Sequence, residues 1–201
     1  MKLLIATQNP GKVREYQHLL ADLPFEILGL RDVGLADMDV DENGDSFEAN
    51  ALIKAQAYAE AAGVMALADD SGLVVDALDG QPGIYSARYG GPGLDNAGRR
   101  ALLLQEMASV PDPERTARFM CVIAVVDPHE AQVITAEGRC EGMITTAERD
   151  LGKGFGYDAL FQPEGHVLTF GEMADEQKDT ISHRGLAVQA LIPRLRDIIQ
   201  P

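Results

Sequence analysis

Two adjacent aspartates, Asp69 and Asp70, interrupt an otherwise apolar stretch. Val64-Met65-Ala66-Leu67-Ala68 precedes them, and Leu73-Val74-Val75 follows Ser71-Gly72. The flanking segments read as strands. Successive side chains of a strand face opposite ways, so at a strand end the two carboxylates diverge. One then faces a cleft while the other braces a loop. A carboxylate fixed at a strand end can hold a divalent cation or take a proton from water. Asp, Ser and Gly equally suit an ordinary turn, and this stretch by itself leaves both readings open.

The surrounding chain alternates strand and helix signals. Residues 2–6 read as a buried strand and 7–12 as a loop. Residues 13–20 have helical spacing, with Val13, Tyr16, Leu19 and Leu20 on one face. Residues 25–30 alternate like a strand, and 31–45 form an acidic, solvated loop containing Asp37, Asp39, Asp41, Glu42 and Asp45. Asp45 followed by Glu48 resembles a capping box, which starts a helix over 46–62 that Gly63 stops. Gly- and Pro-rich segments bracket residues 84–89 as a shaped surface loop. Asp95 caps a helix ending near Met107. Residues 118–126 form a strand, 127–130 turn it, and 132–137 return as its hairpin partner. A glycine-rich loop spans 152–158, and the last helix runs from about 182 to 199, kinked or divided at Pro193. Early strand–helix alternation with a late hairpin predicts an α/β fold with a mixed sheet.

Composition removes several function classes. The chain has 201 residues, enough for one domain or one domain with two lobes. Its formal net charge of -15 disfavours nucleic acid as a partner, because such binding neutralises phosphates with Lys and Arg. Cys121 and Cys140 lie outside any CxxC motif, which excludes a cysteine zinc cluster, and the apolar setting of Cys121 predicts a buried free thiol. No segment reads as a signal peptide or a membrane span, so a cytoplasmic location is the default expectation.

With cations scarce, their positions matter. Thr7, Asn9 and Lys12 lie between a strand and a helix N-terminus, where backbone N–H groups and the helix dipole favour an anion. Lys54 sits on the helix after the acidic loop, and Lys178 and Ser182-His183-Arg184 lie at the start of the last helix. Phe155 and Tyr157, among glycines, are either core aromatics or stacking platforms. Together these features suggest a nucleotide site.

Five motifs then occur in order: Thr7-Gln8-Asn9-Pro10-Gly11-Lys12, Ala68-Asp69-Asp70-Ser71-Gly72, Pro82-Gly83-Ile84-Tyr85-Ser86-Ala87-Arg88-Tyr89, Phe155-Gly156-Tyr157-Asp158 and Ser182-His183-Arg184-Gly185. On these the chain resembles the inosine triphosphate pyrophosphatase family over essentially its whole length. The resemblance implies an elongated mixed α/β fold with two lobes and a central cleft, usually as a homodimer. It also implies Mg²⁺-dependent hydrolysis of deaminated purine nucleoside triphosphates to the monophosphate and pyrophosphate. Residue by residue, Asp70 resembles the general base and a metal ligand, and Glu42 resembles a second ligand. Thr7, Gln8, Asn9, Pro10, Gly11 and Lys12 resemble the phosphate loop, aided by Lys54, and Ser71 a substrate contact. Phe155, Gly156, Tyr157 and Asp158 resemble the base and sugar platform, and Lys178, His183 and Arg184 the base-reading group. Hypoxanthine and xanthine present an acceptor at O6 where adenine presents a donor, so donors on the protein discriminate them.

Three positions depart from the pattern: Gln8 where Gly is common, Ala49 where Glu is often found, and Ala159 after Asp158 where Pro is common. Glu48 lies one residue from the missing acid, about 100° around a helix, and is a poor substitute. Two other readings are a pyrophosphatase of modified pyrimidine nucleotides and a non-catalytic nucleotide-binding module.

Overall fold

Leu3, Leu4 and Ile5 are all buried, so β1 (Lys2–Ile5) is covered on both faces. That is the pattern of a strand inside a parallel sheet. It pairs in parallel with β2 (Glu26–Gly29) on one side and with β3 (Ala66–Val75) on the other. The full order is β2-β1-β3-β4-β5-β6, with β4 at Thr116–Val126, β5 at Val133–Ile144 and β6 at Phe161–Pro163. Because β6 runs antiparallel to β5, the sheet is mixed, as the sequence predicts. Among the described residues five α-helices accompany it: α1 (Pro10–Leu19), α2 (Phe47–Ala62), α3 (Asn96–Glu106), α4 (Asp175–Ile181) and α5 (His183–Ile199). The structure is a computed structural model that describes residues 1–130, 132–152 and 154–199; Lys153 of the glycine-rich loop lies outside them.

Contacts divide the chain into two compact units. The first comprises Met1–Asp70, Cys121–Gly138 and Arg184–Pro201; the second comprises Ser71–Met120 and Arg139–His183. In the first unit, strand alternation sorts the core into two clusters. Leu3, Ile5 and Leu67 pack with Tyr16 of α1, with Leu20 at its C-terminal end, and with Ala187, Val188 and Leu191 of α5. Leu4, Ala66 and Ala68 pack with Ala51, Ala55, Tyr58 and Ala59 of α2. The small alanines let α2 approach the sheet closely. The second unit has its own core, in which Leu73, Leu103, Met107, Phe119, Phe161 and Phe170 meet. The Phe119 and Phe161 rings stand edge to face at 4.8 Å.

Several expectations need correction. α1 begins at Pro10, inside the segment read as a loop, because Asn9 caps it and proline is pre-set for the first helical position. α2 is capped by Ser46, whose hydroxyl accepts the Ala49 N–H at 3.2 Å, and not by Asp45. Gly63 ends α2 at φ 63°, a left-handed conformation that glycine adopts without strain. Asp69 and Asp70 lie within one continuous strand, neither in a turn nor at a strand end. β5 extends to Ile144, seven residues past the predicted hairpin partner. The predicted last helix is α5, which begins at His183 and runs through Pro193 undivided, and α4, which no sequence signal pointed to, precedes it.

The cap assignment is testable by chemical denaturation. Ser46→Ala is expected to cost about 1 kcal/mol of stability, and Asp45→Ala well under half of that. A larger loss at Asp45 would contradict the observed cap.

Candidate active site

The alternation that sorts the core continues through the aspartates. Asp69 follows Leu3, Ile5 and Leu67 toward the α1 and α5 side, and Asp70 follows Leu4 and Ala66 toward α2. Each meets different partners.

Asp69 is 2% exposed. Its Oδ2 accepts from Lys12 Nζ at 2.9 Å, from Arg184 at 3.1 Å and from the Cys121 thiol at 3.7 Å. Arg184, also 2% exposed, pairs in addition with Glu15 and lies over the Tyr16 ring at 5.8 Å. Burial by itself raises the Asp69 carboxyl, but the adjacent Lys12 and Arg184 charges outweigh it and hold the group well below the usual carboxylate range. Burial, reinforced by the Asp69 charge, pushes the Cys121 thiol up to about 12, so it stays protonated and able to donate. Both cysteines are buried free thiols.

Asp70 is buried among groups from α2. Asn50 Nδ2 donates to Asp70 Oδ2 at 3.0 Å, and Lys54 Nζ lies 3.8 Å from Oδ1. Lys54 also binds Glu42 Oε2 at 2.7 Å. Burial raises the Asp70 carboxyl above its ordinary value, and Glu42 adds to this, while Lys54 and Asn50 pull the other way. A carboxylate moved toward neutrality is a better proton acceptor. The turn that delivers Glu42 depends on Gly44, whose N–H donates to Asn50 Oδ1 at 2.9 Å. A Cβ at Gly44 would lie 2.7 Å from the Ala49 Cβ, so only glycine fits there.

Glu42 and Asp70 therefore converge on a single cation, the Lys54 ammonium. Two hard carboxylate donors so placed suit Mg²⁺, which binds few protein oxygens and keeps waters and phosphate oxygens in its sphere. Glu48 is exposed and stands in for no ligand at position 49. Among the described residues no group of three or more His, Cys, Asp or Glu side chains gathers around one point.

The loop at residues 7–12, expected to bind phosphate, is held by its own side chains. Thr7 Oγ1 accepts the Asn9 N–H at 3.2 Å, and Asn9 Oδ1 accepts the Gly11 N–H at 2.8 Å. Pro10 opens α1. Gln8 donates to the Met38 carbonyl at 2.8 Å, which also accepts from the Tyr58 hydroxyl. The departure at Gln8 thus ties the loop to the acidic segment that carries Glu42.

In the second unit, Phe155 is half-buried with Lys178 Nζ 5.1 Å above its ring. Asp158 Oδ2 accepts from both Lys178 Nζ and the Phe155 N–H at 2.9 Å. Gly156 takes a positive φ of 60°. Tyr157 is a core aromatic whose hydroxyl donates to the Ser86 carbonyl at 3.2 Å. His183 stacks on Phe119 at 4.6 Å. Ser71, next to Asp70, is half-buried. Lys178 lies on α4 and not at the start of the last helix.

Lys178 and His183 belong to the second unit, whereas the Arg184 guanidinium is enclosed in the Asp69 network of the first. Asn50 and Glu15 were not anticipated. Asn50 and Lys54 stand four residues apart on one face of α2, a spacing that points both at the same carboxylate.

Removing the Asp69 charge leaves Lys12 and Arg184 poorly compensated, so Asp69→Asn is expected to cost about 3 kcal/mol at neutral pH. A depressed folded-state pKa stabilises above the unfolded value, and that contribution is lost as pH falls. The wild-type advantage therefore narrows below about pH 4. Urea titrations at several pH values check this, and a gap that stays constant from pH 7 to pH 3 would contradict it.

Comparison with known proteins agrees with these features. The family model for the Ham1 family matches residues 3–194. The chain is 46% identical over 190 residues to the dITP/XTP pyrophosphatase of Desulforamulus reducens, spanning 94% of this chain and 92% of that protein. It is 47% identical over 191 residues to the dITP/XTP pyrophosphatase of Geobacter sulfurreducens, spanning 94% of each. A solved HAM1 protein from Coxiella burnetii matches with a TM-score of 0.87 at 36% identity, over 98% of this chain and 99% of that one. The nucleoside-triphosphatase / dITP/XTP pyrophosphatase of Mycobacterium abscessus matches with a TM-score of 0.75 at 42% identity, over 96% and 100%. In sequence and in fold, the chain belongs to the Ham1 family.

Proposed function

We propose that this protein hydrolyses deaminated purine nucleoside triphosphates, dITP, ITP and XTP, to the monophosphate and pyrophosphate. The observation that carries the reading is Asp70, a buried carboxylate raised above its ordinary pKa and set beside Lys54, Asn50 and Glu42. Relatives named dITP/XTP pyrophosphatase share about 45% of its residues over nearly the whole length.

In this mechanism Asp70 takes a proton from water as the water oxygen bonds to the α-phosphorus. The bond from that phosphorus to the bridging oxygen breaks, and pyrophosphate leaves with the electron pair. Asn50 holds Asp70 Oδ2, which leaves Oδ1 oriented for the proton. Lys12 and Lys54 offset the charge that develops on the leaving phosphates. Glu42 and Asp70 would hold Mg²⁺, which when bound supplies further neutralisation of the phosphate oxygens. Phe155 offers a ring face for the purine, and Lys178 and His183 offer donors for O6. Arg184 acts on the site through Asp69 and Lys12, because its guanidinium is enclosed. Cytoplasmic location and a homodimeric state complete the proposal. No helix among the described residues is long and apolar enough to cross a membrane.

A pyrophosphate-release assay on dITP, ITP, XTP, ATP and UTP tests the substrate class. Turnover of the first three far above ATP and UTP is expected, and equal turnover of ATP would remove the reading. Asp70→Asn is expected to lower kcat by about 10²- to 10⁴-fold while ITP still binds. Chelation should abolish activity and added Mg²⁺ restore it. Full activity in chelator would exclude the metal.

A further inference from the structure

The segment Gly154–Asp158 has no regular secondary structure of its own and is held by side chains from elsewhere in its unit. On one side Asp158 receives the Phe155 N–H and Lys178, and it packs so closely on Gly154 that an added Cβ there would lie 2.5 Å from the Asp158 Cβ. On the other side Arg100 of α3 donates from Nη1 to the Gly156 carbonyl at 2.9 Å. The Arg100 Nε side is paired with Glu148 at 3.1 Å, and the Arg100 side chain is only 16% exposed. α3 is itself a firm base, capped by Asp95 and anchored by the buried Leu103 and Met107.

The geometry points to Arg100 as a positioning residue for recognition of the nucleoside, with Glu148 as its brace. Gly156 adopts a left-handed conformation that glycine takes without strain, and the Arg100 guanidinium holds its carbonyl. The planar guanidinium can serve Gly156 and Glu148 at once, which a lysine ammonium does less well. Arg100, Gly156 and Glu148 belong to the second unit, whereas Lys12 and Asp70, the groups assigned to the phosphates and to water, belong to the first. Loss of Arg100 should therefore weaken the hold on the base and sugar and spare the triphosphate. This inference rests on the proposed function.

The test measures KM and kcat for dITP, together with inhibition by inorganic tripolyphosphate, in wild type, Arg100→Ala, Arg100→Lys and Glu148→Ala. Losing a charge-assisted hydrogen bond predicts a KM about tenfold higher in Arg100→Ala. Smaller rises are expected in Arg100→Lys and Glu148→Ala, with kcat and tripolyphosphate inhibition unchanged in all three. If Arg100→Ala fails to fold, Arg100→Lys carries the same readout. A wild-type KM in the arginine variants overturns the inference, as does a matching loss of tripolyphosphate inhibition. Failure of the wild type to hydrolyse dITP would instead overturn the function on which it rests.

Discussion

A buried carboxylate between two cations organises the first unit. Asp69 binds Lys12 from α1 and Arg184 from α5 through one oxygen, and Arg184 binds Glu15 of α1 in turn. Burying a charge is costly unless it is paired and hydrogen-bonded. Here the pairing ties two helices to the central strand. It also fixes the lysine that the mechanism assigns to phosphate, so the same contacts that hold the fold also position a ligand group.

The neighbouring residue has the opposite character because a strand turns successive side chains to opposite faces. Asp70 looks toward α2, where it meets one neutral donor at close range and one ammonium at 3.8 Å. Burial raises its proton affinity, Glu42 adds to this, and Lys54 and Asn50 offset it only in part. Two identical side chains, adjacent in the chain, thus take opposite proton affinities from their surroundings alone. The Ala-rich face of α2 makes this possible, since bulkier residues would hold Asn50 and Lys54 farther from the sheet.

Much of this was legible in the sequence. The apolar run of β1, the helical spacing of Tyr16 and Leu20, and the glycine stop at Gly63 all predicted their elements. The five ordered motifs identified the family. The errors have physical causes. Asp-Asp-Ser-Gly looks like a turn because local propensity cannot register the cations that neutralise Asp69 within the strand. Asp45 and Ser46 are both good caps, and only backbone geometry chooses between them. The pairing of the Arg184 guanidinium with Asp69, 115 residues away in the chain, is a tertiary contact that no spacing rule reveals. Glu15 and Asn50 are ordinary helix residues until tertiary contacts give them partners.

The division of labour on β3 can be measured directly by following the side-chain carboxyl carbons of Asp69 and Asp70 by NMR in the metal-free protein as pH is lowered. The account predicts that Asp69 stays ionised below the ordinary carboxylate range while Asp70 takes up its proton at a higher pH than an ordinary aspartate. An Asp69 that protonates at or above the pH at which Asp70 does would contradict it.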